Sequence, residues 1–143
     1  MNEITGALFG IGIIIIGFIV IPLMYSKSGG YSELTKAFKA KRPINASATY
    51  QTISVEKGYG FLGAFTGVNF YFDKNGFYIY PMFRAWSLFM PTLFLPYNEI
   101  RVERVRYLGV FKKLKVTFNK KTLPSLYIPN KFYSKIKSNV QNI

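Results

Sequence analysis

The chain has no histidine and no cysteine among its 143 residues, and this limits its chemistry at once. Imidazole-assisted serine catalysis, thiolate chemistry and the usual transition-metal sites all need one or the other. Carboxylates are sparse: Asp73 is the lone aspartate and sits in a turn sequence, while Glu33, Glu56, Glu99 and Glu103 are scattered without the pairing that general acid-base catalysis uses. Gly58-Tyr59-Gly60-Phe61-Leu62-Gly63 satisfies the GxGxxG spacing. A nucleotide loop, however, needs a helix opening behind it and an acidic ribose contact about 20 residues on, and neither pattern follows. The segment reads instead as a glycine-aromatic loop in which Tyr59, Phe61 and Leu62, beside Lys57, suit a lipid headgroup region. The expectation is a protein that is not an enzyme and uses no cofactor and no metal.

What the chain does carry is positive charge and bulky apolar surface. All 19 Lys and Arg residues follow Met24, against only Glu33, Glu56, Asp73, Glu99 and Glu103 there, and the formal net charge is +13. Arg101, Arg104, Arg106, Lys112, Lys113, Lys115, Lys120 and Lys121 fall on one predicted hairpin with Glu103 as the opposing charge, which makes them candidate contacts to anionic lipid. Met82, Phe83, Arg84, Trp86, Leu88, Phe89 and Met90 are too bulky and too many for all to be core, so part of this stretch is expected to be an exposed contact patch. No nucleic-acid recognition signature accompanies the basic character, and nucleic acid is not expected as a partner.

These groups must be positioned by three regions: residues 1–26, an N-terminal anchor; 27–45, a juxtamembrane linker with a short helix; and 46–143, a β domain. Ile4 to Met24 is apolar on every side and uncharged, and as a helix it spans about 31 Å, one bilayer crossing. The leader lacks Lys and Arg whereas Lys27, Lys36, Lys39, Lys41 and Arg42 follow the run, so the N-terminus is expected outside and the remainder in the cytoplasm. The acidic leader and the sequence Ser26-Lys27-Ser28-Gly29-Gly30 are unlike a cleaved signal. Gly6, Gly10 and Gly17 share one helix face and permit close helix packing. The absence of cysteine suits an unstapled cytosolic domain.

In the linker, Ser32 is expected to cap a helix with Leu34, Ala37 and Phe38 on one face, ended before Pro43. Beyond it the pattern turns strand-like: Thr49 to Val55, then Val68, Phe70 and Phe72 alternating with polar neighbours, then Asn75-Gly76 as a hairpin turn with positive φ. Pro91 and Pro96 belong at strand ends or edges. Ile100 and Val102 fall out of phase with Val105 and Tyr107, which predicts a bulge near Glu103-Arg104. Gly109 turns the chain, Leu114, Val116 and Phe118 alternate with polar residues, and Leu126 and Ile128 mark a last strand. Asn130 is expected to cap a closing helix that buries Phe132, Ile136 and Val140. The apolar stretch from Phe77 to Tyr97 is not expected to be a second span, because Pro81, Pro91 and Pro96 interrupt it and a crossing there would carry the later cations outside.

Six or seven antiparallel strands followed by one amphipathic helix define a mainly β fold. The aromatic hairpin with Gly76, the segment Leu95-Pro96-Tyr97-Asn98-Glu99-Ile100, the basic hairpin and the terminal helix resemble bacterial PH-like and GRAM-like domains over Asp73 to Val140. The resemblance implies a PH-like antiparallel barrel or sandwich closed by its C-terminal helix. The chain departs from eukaryotic PH domains in lacking their closing-helix Trp and the basic pair between the first two strands. Together these features lead to the expectation of a single-pass bacterial inner-membrane protein. It would be a binding or scaffold module apposed to anionic lipid with a membrane-protein partner or a second copy of itself, or else an accessory or immunity-type subunit of a larger membrane complex.

Overall fold

The computed structural model describes residues 2–20, 29–43, 51–56, 64–88 and 90–140. Residues 21–24 of the expected anchor, Thr49 and Tyr50, the GxGxxG segment and Phe89 lie outside the described residues.

Helix α1, Glu3–Ile15, continues through a π-helical turn, Ile16–Val20, and none of these residues is buried. Helix α2 follows at Gly29–Phe38, then strands β1 (Gln51–Val55), β2 (Ala64–Phe72), β3 (Gly76–Pro81), β4 (Leu93–Pro96), β5 (Ile100–Tyr107), β6 (Phe111–Phe118) and β7 (Leu126–Pro129), and helix α3 (Tyr133–Val140). The strands form one open antiparallel sheet in the order β4-β3-β2-β1-β7-β6-β5. The mainly β expectation with a closing helix is met. β2 is the long member: it pairs with β1 through Ala64 to Val68 and with β3 through Val68 to Phe72. The join between β1 and β7 is narrow, with Ser54 opposite Tyr127 and Val55 opposite Leu126. It is reinforced where Glu56 N–H donates to the Ser125 carbonyl (3.0 Å) and Ser125 N–H donates to Glu56 Oε2 (2.9 Å).

One core unites the layers. Ile53, Val68, Phe70, Phe77, Ile79, Leu93, Leu95, Leu114, Val116, Leu126 and Ile128 face inward from the strands, met by Tyr31, Leu34 and Phe38 of α2 and by Phe132 and Ile136 at the C-terminal end. α2 therefore packs on the sheet and shares its core. It starts before Ser32, which lies a turn inside it, and Tyr31 rather than the exposed Ala37 completes its buried face. Gly30 permits this seating, because a Cβ there would collide with the Glu56 carbonyl. At the other end of α2, Lys39 bridges to Leu93 and Ala40 N–H donates to the Thr92 carbonyl (2.8 Å), covering part of the β4 edge.

Three local expectations are corrected. Gly76 does not take positive φ; Gly67 and Gly109 do, and Gly76 is required because a Cβ would run into the Leu95 carbonyl and the Phe94 ring of the neighbouring strand. No bulge interrupts β5, whose register with β6 is continuous from Ile100 opposite Phe118 to Tyr107 opposite Phe111. The apolar phase changes because β5 outruns the core: Arg104 and Arg106 keep the inward phase of Val102, while Tyr107 turns outward to pack on Tyr127 with centroids 4.7 Å apart. Asn130 does not cap α3 with its side chain; it opens a 3-10 turn, Asn130–Phe132, and its carbonyl accepts from Tyr133 N–H. As expected, the stretch from Phe77 to Tyr97 is not a second span: it forms β3, β4 and the segment between them.

Strand direction sorts the connections to two ends of the sheet. Since every neighbouring pair is antiparallel, segment 82–92 between β3 and β4 and segment 119–125 between β6 and β7 lie at one end, with α2. The β5–β6 hairpin and the start of α3 lie at the other, and Tyr97–Glu99 runs from Asn75 of the β2–β3 hairpin, whose carbonyl accepts from Tyr97 N–H (3.0 Å), to Asn119, whose N–H donates to the Glu99 carbonyl (3.0 Å).

Candidate interaction surfaces

Residues Glu3–Val20 form an 18-residue helix of mean hydropathy 2.3, long and apolar enough to cross a membrane by length and composition. Ile4, Leu8, Phe9, Ile13, Ile14 and Phe18 all expose more than half of their surface. In water such a surface is strongly unfavourable, whereas hydrocarbon solvates it without penalty. A Cβ placed at Gly6, Gly10 or Gly17 would meet nothing within 4 Å, so the glycine face is open.

Near its C-terminal end this helix meets the sheet domain. The Phe18 ring lies 6.5 Å from Phe83 and 6.3 Å from Trp86 between centroids, and Phe83 and Trp86 pack edge-on at 5.0 Å. The 82–92 segment that receives Phe18 is braced from beneath. Met82 N–H donates to the Gly67 carbonyl (2.7 Å), the Arg42 guanidinium donates to the Met82 carbonyl (3.4 Å) and lies 4.9 Å from the Tyr80 ring, and Tyr31 Oη donates to the Pro91 carbonyl (2.7 Å). Burial raises the Tyr31 phenol well above its ordinary pKa. A 3-10 helix, Arg84–Leu88, projects from this base.

The expected patch is thus divided by the fold. Met90 is core, Met82 and Trp86 are half-buried, and Phe83, Arg84 and Leu88 face outward, Leu88 with 84% of its surface exposed. Trp86 Nε1, Ser87 Oγ and Arg42 Nη1 are buried without a hydrogen-bond partner among the described residues.

The eight candidate cations of the β5–β6 region do not form one surface. Lys120 and Lys121 belong to the anchor-side end, where Lys120 borders a groove with Glu33, Lys36, Thr122 and Leu123. Arg101, Lys113 and Lys115 lie on the outward phase of the sheet, with Lys115 opposite Glu103; burial lowers the Lys113 ammonium pKa. Arg104, Arg106 and Lys112 share the inward phase at the far end, beyond the core, and line a cleft of about 320 Å³ with Val105 and Asn130. Four and six strand steps separate Arg104 and Arg106 from Ile100, so this cluster stands roughly 13–20 Å from the start of β5. Sequence spacing alone put the eight on one hairpin; strand phase and chain direction separate them.

Two of the carboxylates make structural hydrogen bonds. Asp73 Oδ1 accepts from Lys74 N–H (2.7 Å) and Glu56 ties β1 to the residue before β7. Among the described residues no three acidic side chains converge as a metal site. No protein-family model, curated protein or solved structure matches the chain.

Proposed function

We propose that this chain is a membrane-anchored, non-catalytic binding module. Its sheet domain, of the PH-like kind its sequence resembles, rests on an anionic bilayer by the anchor-side end and turns its distal end toward a protein partner. The membrane in this reading is a bacterial inner membrane, and the Lys and Arg that follow the apolar run support an orientation with the N-terminus outside and the domain in the cytoplasm. One observation carries this reading: the ring of Phe18 packs on Phe83 and Trp86. Phe18 lies inside an apolar run that continues in sequence to Met24, so a side chain touching it shares its solvent. Leu88 then has hydrocarbon to enter, and the Trp86 indole takes the interfacial position that tryptophan favours. Exposed Lys36, Lys39, Lys41 and Arg84 add about 1 kcal/mol each against an anionic leaflet.

Trp86 is the chain's single tryptophan, so its emission reports on this segment alone. In full-length protein reconstituted into vesicles, lipids brominated on the acyl chain should quench Trp86 strongly, most at the positions nearest the headgroup. Emission that is unquenched and centred at the wavelength of a hydrated indole would overturn the proposal. A second reading, an accessory subunit within a larger membrane assembly, draws on the open Gly6 and Gly10 face of α1. It predicts a stoichiometric membrane protein co-purifying from mild detergent, lost on Gly10→Leu.

A further inference from the structure

The distal end of the sheet carries a feature that a bilayer beneath the other end leaves unused. Arg106 stands directly opposite Lys112 in the β5–β6 register, and Arg104 precedes Arg106 on the same face. Like charges placed directly across a pair of strands repel. No carboxylate shares that face of the hairpin, because Glu103 lies on the other phase opposite Lys115. Arg104 is held in place, its guanidinium 3.9 Å from the centre of the Tyr133 ring, and the cleft between these cations and Asn130 is concave.

The turn that joins the two strands is equally costly. Leu108 adopts φ +54° and Gly109 φ +76°, and Val110 N–H closes on the Tyr107 carbonyl at 3.4 Å. Two successive positive φ values suit Asn-Gly; a leucine in the left-handed region is strained by roughly 1 kcal/mol. That strained leucine is also 53% exposed, beside Val110 at 75% and Phe111 at 59%. Repelling cations and a strained, solvent-facing aliphatic tip sit within a few residues of each other, a conjunction expected of a site rather than of a passive edge.

We infer that the distal β5–β6 hairpin, with the Asn130 turn, is a docking site for an acidic protein segment bearing apolar side chains. Its carboxylates lie between Arg104, Arg106 and Lys112, and its apolar side chains cover Leu108 and Val110. The argument for this occupant is complementarity. The cations call for carboxylate or phosphate, the aliphatic tip gives nothing to a phosphodiester backbone, and a concave cleft admits a chain segment better than a planar headgroup layer. That the site points away from the anchoring membrane rests on the proposed function above; the site itself does not.

The test uses the full chain in lipid-free detergent micelles, so that failure of the membrane reading cannot mask it. The probe is a fluorescein-labelled synthetic peptide alternating Glu with Leu and Phe, followed by anisotropy, with an all-Glu peptide and a single-stranded oligonucleotide as rivals. The variants are Leu108→Asn and Lys112→Glu, each of which relieves strain or repulsion and so should fold, with Lys120→Ala/Lys121→Ala at the opposite end as control. The expected result is saturable binding of the mixed peptide at low salt, weakened at least tenfold by Leu108→Asn and by Lys112→Glu and unchanged in the control. Equal binding of the all-Glu peptide or the oligonucleotide, indifference to Leu108→Asn, or loss in the control would overturn the proposal.

Discussion

Replacing Leu88 by Asp isolates the bilayer contact from the stability of the fold. Leu88 exposes 84% of its surface at the tip of the 3-10 helix, so the protein itself loses little on substitution, within about 0.5 kcal/mol. Seating the loop in lipid is another matter. Full burial of a leucine side chain is worth about 1.5–3 kcal/mol, nearly all of it still available to a side chain this exposed. An acidic group at interfacial depth adds up to about 1 kcal/mol of penalty. A loss of about 2–3.5 kcal/mol lowers the ratio of seated to lifted domain by roughly 30- to 300-fold. The assay is acyl-chain bromine quenching of Trp86 in reconstituted vesicles, with thermal unfolding in detergent as the control for fold. Leu88→Asp should abolish most of the quenching at unchanged melting temperature, and Leu88→Phe should retain it. Undiminished quenching in Leu88→Asp would show that the segment stays in lipid without the Leu88 side chain and would refute the seating argument.

The remaining expectations concern the fold. Gly76→Ala should destabilise by about 1–3 kcal/mol, read as a lower urea midpoint, because the added methyl meets the Leu95 carbonyl and the Phe94 ring. Leu108→Asn should raise stability by about 1 kcal/mol, and Lys112→Glu by about 0.2–1 kcal/mol, in chemical denaturation. Both gains would come at the expense of docking, which identifies the hairpin tip as a place where stability yields to function. Burial of Tyr31 raises its folded pKa above the unfolded value of 10.0, so its contribution is intact below pH 10 and is lost as pH rises beyond it. Tyr31→Phe should therefore flatten the decline in melting temperature above pH 10.

Much of this architecture was legible from local pattern. The unbroken apolar opening, the alternation through Val68, Phe70 and Phe72, and the spacing of Phe132 and Ile136 each reflect burial of one face, a property a sequence writes directly. Positions where a residue answers to a distant neighbour were harder. The Asn75-Gly76 pair looks like a positive-φ turn, yet Gly76 serves the close approach of β4, which arrives some 19 residues later. Arg104 and Arg106 look like a register slip because alternation is assumed to track burial, whereas β5 extends past the core and its inward phase becomes charged. The Phe18, Phe83 and Trp86 cluster joins residues more than 60 positions apart, and neither segment alone signals the other. Spacing likewise gave the eight basic residues one address, and only strand direction divided them between two ends.

The short seam between β1 and β7 has a mechanical implication. One leaf, β4-β3-β2-β1, bears the segment that grips α1; the other, β7-β6-β5, bears the strained cationic tip. Within the sheet, load applied between anchor and tip by a partner pulling on the hairpin crosses the pairs at Ser54 and Val55 and the Glu56 to Ser125 clasp, with the shared core in parallel. Antiparallel ladders resist when sheared and unzip readily when peeled, so the direction of pull would determine whether the leaves part there before either unravels.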